Sequence, residues 1–429
     1  MNRRQLLRAF AAAPLVGSMP RVGRAATSGG KHLIVIVANG GWDTTYLMDP
    51  KLGVEGVEGP EVEEDPDDPE DREAVETLHG LPLMLNRHKR PITAQFFEDW
   101  GHRVAIVNGL WTGSIAHDPS RERVLSGSAD NTVPDMVTIA GHVFGDSLPL
   151  GSVDMSGFSM AGSLAASSGR VGYRSQLKLL IDDDSVFESA DRTYDFPQFV
   201  PTADDDAAVR DFLRRRTERL RATRSDGGVN DQRLDDLLIS LDRAERFVER
   251  SDEIADFLNL GKPPSLAIQA SLAATFLEQQ LCHSVLMDTS RKWDSHTTNT
   301  TQHENYEATF LGLTSLITSL EERSLLDDTL VVVISEMTRT PKFNDTGGKD
   351  HWPHTAALMF GGGVVGGRVR GGTDDLLESL PMRLDTGEVD LEHGELCKYD
   401  NFAAGVLASV GVDPGEWFPG ITPFMGALT

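Results

Sequence analysis

Three apolar, β-branched runs, each leading into a cluster of acids and histidines, constrain this chain more than any other feature. The run at 31–37 leads into Ala38-Asn39-Gly40-Gly41-Trp42-Asp43. The run at 282–288 is followed by Trp293-Asp294-Ser295-His296. The run at 329–335 ends in Glu336, with Lys349-Asp350-His351-Trp352-Pro353-His354 soon after. Such runs read as strands buried on both faces, as in parallel sheets. Further runs lie at 103–108 and 356–360. Between strands, Leu311, Leu313, Leu316, Ile317 and Leu320 recur at helical spacing. The expected fold is α/β, a mostly parallel sheet sandwiched by helices. Sheets of this class place their sites beyond the C-terminal ends of their strands.

Those ends carry a mixture of oxygen and nitrogen donors that suits zinc or manganese better than calcium. Asp43, Asp294, His296, Glu336, Asp350, His351 and His354 are the expected metal ligands. His351 and His354, three apart, are expected to face one centre from a loop or helical turn, with Asp350 completing it. Gly40-Gly41 allows a close backbone approach beside Asp43. Glu336 closes an apolar strand, and a buried carboxylate needs a cation. Arg339 and a metal both stay open as that cation. His32, His79, His88 and His393 read as structural hydrogen-bonders, and Trp293 and Trp352 as packing beneath the clusters.

Residues 1–26 read as an address. Arg3-Arg4 precedes a modest apolar run, and Gly23-Arg24-Ala25 offers a small-x-small cleavage site. This is the pattern of a twin-arginine export signal, with the translocon as partner and a periplasmic or extracellular destination. The rest of the chain holds no run of the roughly 18–20 apolar residues that a membrane span needs. A net charge of −26 argues against binding nucleic acid. Much of it falls in an acidic loop, 54–77, whose prolines block helix; it lacks the spacing of a designed calcium loop. Cys282 and Cys397 allow either a disulfide or two buried thiols. Residues 203–260 read as an inserted pair of charged helices broken near 224–230, either covering the sheet or serving as a lid or partner surface. The α/β domain then comprises 27–202 and 261–429.

At Asp43, Asp294-Ser-His296, Ser335-Glu336-Met-Thr-Arg339-Thr-Pro341 and Asp350-His351-Trp-Pro-His354 the chain resembles a family of exported bacterial proteins of unassigned function within the alkaline phosphatase and sulfatase superfamily. The resemblance implies an alkaline-phosphatase-like core with metal ligands on strand-end loops. On it, Asp43 matches the first metal carboxylate and Asp294 with His296 an Asp-plus-His pair. Glu336 takes an aspartate's position, and Met337 replaces a histidine. His117-Asp118-Pro119-Ser120-Arg121-Glu122-Arg123-Val124-Leu125-Ser126-Gly127 looks like the sulfatase signature Cys-x-Pro-Ser-Arg-x-x-x-Leu-Thr-Gly, with His117 at the nucleophile's place. No formylglycine forms from histidine, so the standard sulfatase mechanism is excluded on this alignment. His117 as ligand or nucleophile, Thr112 or Ser114 as the attacking hydroxyl, water activated at the metal, and a site that binds without turnover all stay open.

The function expected is metal-dependent hydrolysis of phosphate or sulfate esters or a related small anion, with Arg121 and Arg339 offsetting developing charge. The rival is a non-catalytic metal-binding or assembly protein on the same fold, meeting a protein partner through the helical insert. The export reading has its own test. Changing Arg3-Arg4 to Lys-Lys is expected to hold the precursor in the cytoplasm, scored by fractionation and immunoblot; undiminished export would mean an ordinary secretory route.

Overall fold

Side-chain alternation along the first strand divides the core in two. The structure is a computed structural model that describes residues 30–60, 71–171, 202–224, 228–250 and 264–429. In strand β1 (His32–Val37), Leu33, Val35 and Val37 pack on one face of the sheet and Ile34 and Ile36 on the other. Every one of these five side chains is fully buried. That is what a strand covered by helices on both sides requires.

The strands that follow are β2 (Ala74–Leu78), β3 (Leu81–Leu85), β4 (Val104–Trp111), β5 (Ser152–Asp154), β6 (Ser168–Arg170), β7 (Ser284–Asp288), β8 (Thr329–Ile334), β9 (Thr338–Arg339), β10 (His351–Trp352), β11 (His354–Gly361) and β12 (Arg368–Gly371). The helices are α1 (Pro91–Trp100), α2 (His117–Ser126), α3 (Met136–Phe144), α4 (Ala203–Arg224), α5 (Val229–Glu249), α6 (Leu266–Glu278), α7 (Thr301–Glu322) and α8 (Tyr399–Val410). The main sheet runs β12-β4-β11-β8-β1-β7-β5-β6. All its pairings are parallel except those of β11, which opposes both β4 and β8. The expected mostly parallel α/β sheet is therefore what forms. Helices α1, α6 and α7 cover the face of Ile34 and Ile36; α2, α3 and α8 cover the other. Because β1, β4, β7 and β8 run the same way, their C-terminal loops emerge along one edge.

Several details depart from the sequence expectations. The acidic stretch 54–77 is not loop to its end. Residues 61–70 lie outside the described set, but Ala74–Leu78 pairs antiparallel with Leu81–Leu85. The turn between them has positive φ at both His79 and Gly80, the conformation that suits a two-residue hairpin. Ahead of this hairpin, Glu73 is fully buried against Arg90 at 2.5 Å. Cys282 and Cys397 are free thiols in the cores of opposite sheet faces, so no disulfide joins them.

The helical pair is present as α4 and α5. Contacts from Arg214 to Asp242 and Glu245, and from Arg221 to Asp235, fix it as antiparallel. Such exposed ion pairs contribute little stability; Phe247 of α5, fully buried in the core of one sheet face, does the anchoring. The expected export signal lies outside the described residues. Among the described residues, no helix is long and apolar enough to cross a membrane.

Two buried histidines give the fold a pH dependence. Burial, with smaller contributions from neighbouring charges, pushes His283 and His303 down to about 3. Between pH 6.5 and about 3 the unfolded chain takes up protons that the folded chain refuses, so stability falls as pH drops through that window. His283→Gln is expected to flatten the slope by up to about 1.4 kcal/mol per pH unit, read from urea unfolding at pH 5 and 7. An unchanged slope would mean that His283 is not held neutral.

Candidate metal centre

The loops after β1, β4, β7 and β8 meet the β9–β10 ribbon, and one guanidinium ties them together. Arg339 is fully buried. Its Nε donates to Gly41 O at 2.9 Å, its Nη1 to Lys349 O at 3.1 Å, and its Nη2 to Trp293 O at 3.1 Å and Asp294 Oδ1 at 2.8 Å. Gly40 O receives a further bond from Nη2. A glycine is needed here: a Cβ on Gly40 would lie 2.6 Å from the Asp294 backbone nitrogen, and φ at Gly40 is +119°. Arg339 therefore holds Asp294 in place and is itself shut off from solvent.

Around Asp294 three imidazoles converge. His296 Nε2 lies 3.2 Å and His351 Nε2 3.3 Å from Asp294 Oδ1, and the two nitrogens are 2.9 Å apart. His117 Nε2 stands 3.5 Å from Asp294 Oδ2, buried and with no hydrogen-bond partner. His117, Asp294 and His351 offer ligand atoms all within 4.8 Å of one another.

The other ring nitrogens decide what these Nε2 atoms can do. His117 Nδ1 meets Glu336 Oε1 at 2.8 Å, His296 Nδ1 meets Asp350 Oδ1 at 2.9 Å, and His351 Nδ1 meets the Ile115 carbonyl at 2.7 Å. Carboxylates and carbonyls accept, so each Nδ1 carries the proton and each neutral imidazole turns an Nε2 lone pair inward. With both Nε2 atoms unprotonated, two lone pairs 2.9 Å apart beside a carboxylate repel unless a proton or a metal ion lies between them. Bonds of about 2.0–2.1 Å place neighbouring ligand atoms about 3.3 Å apart at tetrahedral angles and about 2.9–3.0 Å apart at octahedral ones. The observed separations of 2.9, 3.2 and 3.3 Å span that range. The donor set fits a divalent ion, and the outer acceptors are the kind that orient metal-bound histidines.

The electrostatics favour the ligand forms of Asp294 and His351, while Glu336 favours a proton on His117. The hydrogen bond to Glu336 holds His117 above its usual pKa despite partial burial. Burial pulls Asp294 upward, but the hydrogen bond and charge of Arg339, helped by His351 and His296, leave it below the usual carboxylate range. Burial pushes His351 down, and the hydrogen bond from His296 keeps Asp350 low.

Of the residues expected as ligands, Asp294, His296 and His351 come together with His117. Glu336 and Asp350 stand one layer out, holding His117 and His296. Glu336 is fully buried and also accepts from the Gly40 N–H at 2.7 Å. His354 does not join the cluster. Its Nδ1 pairs with Ser379 Oγ at 2.6 Å, and burial drops its pKa to about 4. In extended backbone, residues three apart point to opposite sides, so the helical-turn reading of His351 and His354 fails. Asp43 also lies apart: its carboxylate sits 2.9 Å from Lys349 Nζ, both side chains fully buried.

Thr112 spends its hydroxyl on Ser114 O, and Ser114 Oγ accepts from the Ala116 N–H. Arg121 donates to Asn39 Oδ1, pairs with Asp118, and lies over the Phe158 ring at 4.4 Å. His117 opens α2, whose Gly127 closes it in the left-handed conformation. Met337 is buried beside Gly41. Sequence reading gave no role to Lys349, Asn299, Asn344 or the Ile115 carbonyl; only the position of Lys349 beside Asp350 hinted at one.

The family model described as "Protein of unknown function (DUF1501)" matches residues 249–420, which include Asp294, His296, Glu336, Asp350 and His351. No curated protein matches the chain. Among solved structures, a protein in the alkaline phosphatase superfamily from Vibrio parahaemolyticus is similar at 10% identity and TM-score 0.39, covering 90% of this chain and 68% of that one. The PsFucS1 sulfatase from Pseudoalteromonas sp. is similar at 9% identity and TM-score 0.39, with 94% and 73% covered. The alkaline phosphatase of the Antarctic bacterium TAB5 gives 13% and 0.33, with 78% and 91% covered. The α/β architecture described above rests on the strand order itself.

The buried Asp43–Lys349 pair yields a stability test. Lys349→Met strands a buried carboxylate, so a loss of about 3–5 kcal/mol is expected in denaturant unfolding. A loss below about 1 kcal/mol would mean that water reaches Asp43.

Proposed function

We propose that the cluster is the divalent-metal centre of a hydrolase acting on phosphate or sulfate esters or a related small anion. The observation that carries this reading is the set of three Nε2 lone pairs facing the Asp294 carboxylate, each imidazole fixed by an acceptor on its far side. Asp294, His296 and His351 would hold the ion, with His117 beside them; a bound zinc or manganese ion supplies Lewis-acid polarisation of an ester oxygen.

The protein's own groups orient and shield. Glu336 fixes the His117 ring, Asp350 fixes His296, and Arg339 fixes Asp294. Arg121 stands at the opening of α2, where it offers charge to an anion. The motif from His117 to Gly127, which resembles the sulfatase signature, supports the ester class. The Arg3-Arg4 segment supports export by the twin-arginine route to the periplasm or beyond.

A second reading, a metal-binding or assembly protein without turnover, is favoured by one observation. The Thr112 hydroxyl donates to the Ser114 carbonyl, and Arg339 is fully buried with its guanidinium turned to backbone carbonyls and Asp294. Metal analysis followed by a chromogenic phosphate and sulfate ester panel separates the two. His351→Ala is expected to abolish stoichiometric metal, and Asp350→Ala to weaken affinity about 10–100-fold in chelator competition. Metal with no turnover on any ester selects the binding protein; no metal on the wild type removes the hydrolase and the metal-binding role and leaves assembly alone.

A further inference from the structure

The carboxylate that a second metal would need is already neutralised by a lysine. Asp43 is fully buried, and its carboxylate is hemmed in by protein groups. Oδ1 accepts from the Thr45 N–H at 3.1 Å and from Thr45 Oγ1 at 2.6 Å. Oδ2 accepts from Asn299 Nδ2 at 2.8 Å and meets Lys349 Nζ at 2.9 Å. Three of the carboxylate's roughly four lone-pair sites are hydrogen-bonded, and the Lys349 ammonium, which makes no hydrogen bond, stands 2.9 Å from Oδ2 as the countercharge.

The pair is also built in. The Asp43 N–H donates to Gln302 Oε1, Asn299 Oδ1 accepts from Ser295 Oγ, and the Lys349 N–H donates to Ser295 O. The Lys349 ammonium further lies 5.4 Å from the centre of the Phe343 ring. Asp43 and Lys349 thus form a closed layer against Ser295, whose neighbours Asp294 and His296 face the metal centre.

We propose that the centre holds a single divalent ion, the Lys349 ammonium serving as the fixed cation at Asp43 where a second ion would otherwise sit. The proposal rests on the metal reading above and adds its stoichiometry. A divalent ion at Asp43 would have to displace a fully buried ammonium from its carboxylate. Lys349 therefore fixes the charge of Asp43 and stands outside the ligand set.

The test is metal counting, independent of turnover. Full-length purified protein is dialysed against excess zinc or manganese, and bound ion is measured by mass spectrometry. The wild type is expected to hold one equivalent. The double variant Asp43→Asn with Lys349→Met, which removes both buried charges together, is expected to hold the same single equivalent with affinity changed less than about threefold. Asp294→Asn is expected to lose it. Two equivalents on the wild type would overturn the proposal while leaving the metal reading intact. Loss of the single ion from a double variant that circular dichroism shows folded would also overturn it, by making Asp43 a ligand. No ion on the wild type would remove the metal reading and this proposal with it. Should the double variant fail to fold, the wild-type count alone decides.

Discussion

One buried guanidinium holds the strand-end loops together. Arg339 draws in the carbonyls of Gly40, Gly41, Trp293 and Lys349 and the carboxylate of Asp294. These groups come from the β1 loop, the β7 loop and the segment before β10. A guanidinium without water must have its donors satisfied, so the loops are obliged to turn their carbonyls toward one point. That obligation explains why two successive glycines follow β1 and why Asp294 is held where three histidines can reach it.

Around this staple the centre is arranged in shells of opposing polarity. Acceptors on the outside, Glu336, Asp350 and the Ile115 carbonyl, fix three imidazole protons outward; the inward faces are left rich in lone pairs. Such an arrangement is unfavourable by itself, since it concentrates negative potential that the Arg339 guanidinium on Asp294 relieves only in part. The neighbouring layer has the opposite character. Asp43 and Lys349 neutralise one another there, and the hydroxyls and amides of Thr45, Asn299, Gln302 and Ser295 surround the carboxylate side of the pair. The contrast between a layer that is electrostatically complete and one that is incomplete separates structure from chemistry at this edge of the sheet.

Much of the frame was legible because its signals are local. The five apolar runs became β1, β4, β7, β8 and β11 within a few residues of their expected limits, since a strand buried on both faces must be apolar along its length. The helical break near 224–230 was legible from its turn residues. The acidic stretch misled at its end, because its charge masked the alternation of Ala74–Leu78 and the turn at His79-Gly80. Helix α2 is mostly polar and gave no clear apolar stripe, while α3 is short and apolar nearly throughout, so it shows no helical period. The pairing of Glu73 with Arg90 joins residues whose proximity depends on how the hairpin packs, and nothing in their spacing announces it.

The same division runs through the site. Sequence alone determined that acids and histidines would gather beyond the strand ends, because parallel strands emerge at one edge and the clusters follow those strands. It also marked His117, through the motif that begins there. Only the tertiary structure decided which of these groups keep a free lone pair. Asp43 and Asp294 look alike as carboxylates after strands, yet one is closed by Lys349 and the other is left facing three imidazoles. His351 and His354 look alike as neighbours in a motif, yet extended backbone turns them apart. A residue's type and position fix where a side chain starts; whether it is free to bind depends on partners brought from distant parts of the chain, and those are set only when the loops close around Arg339.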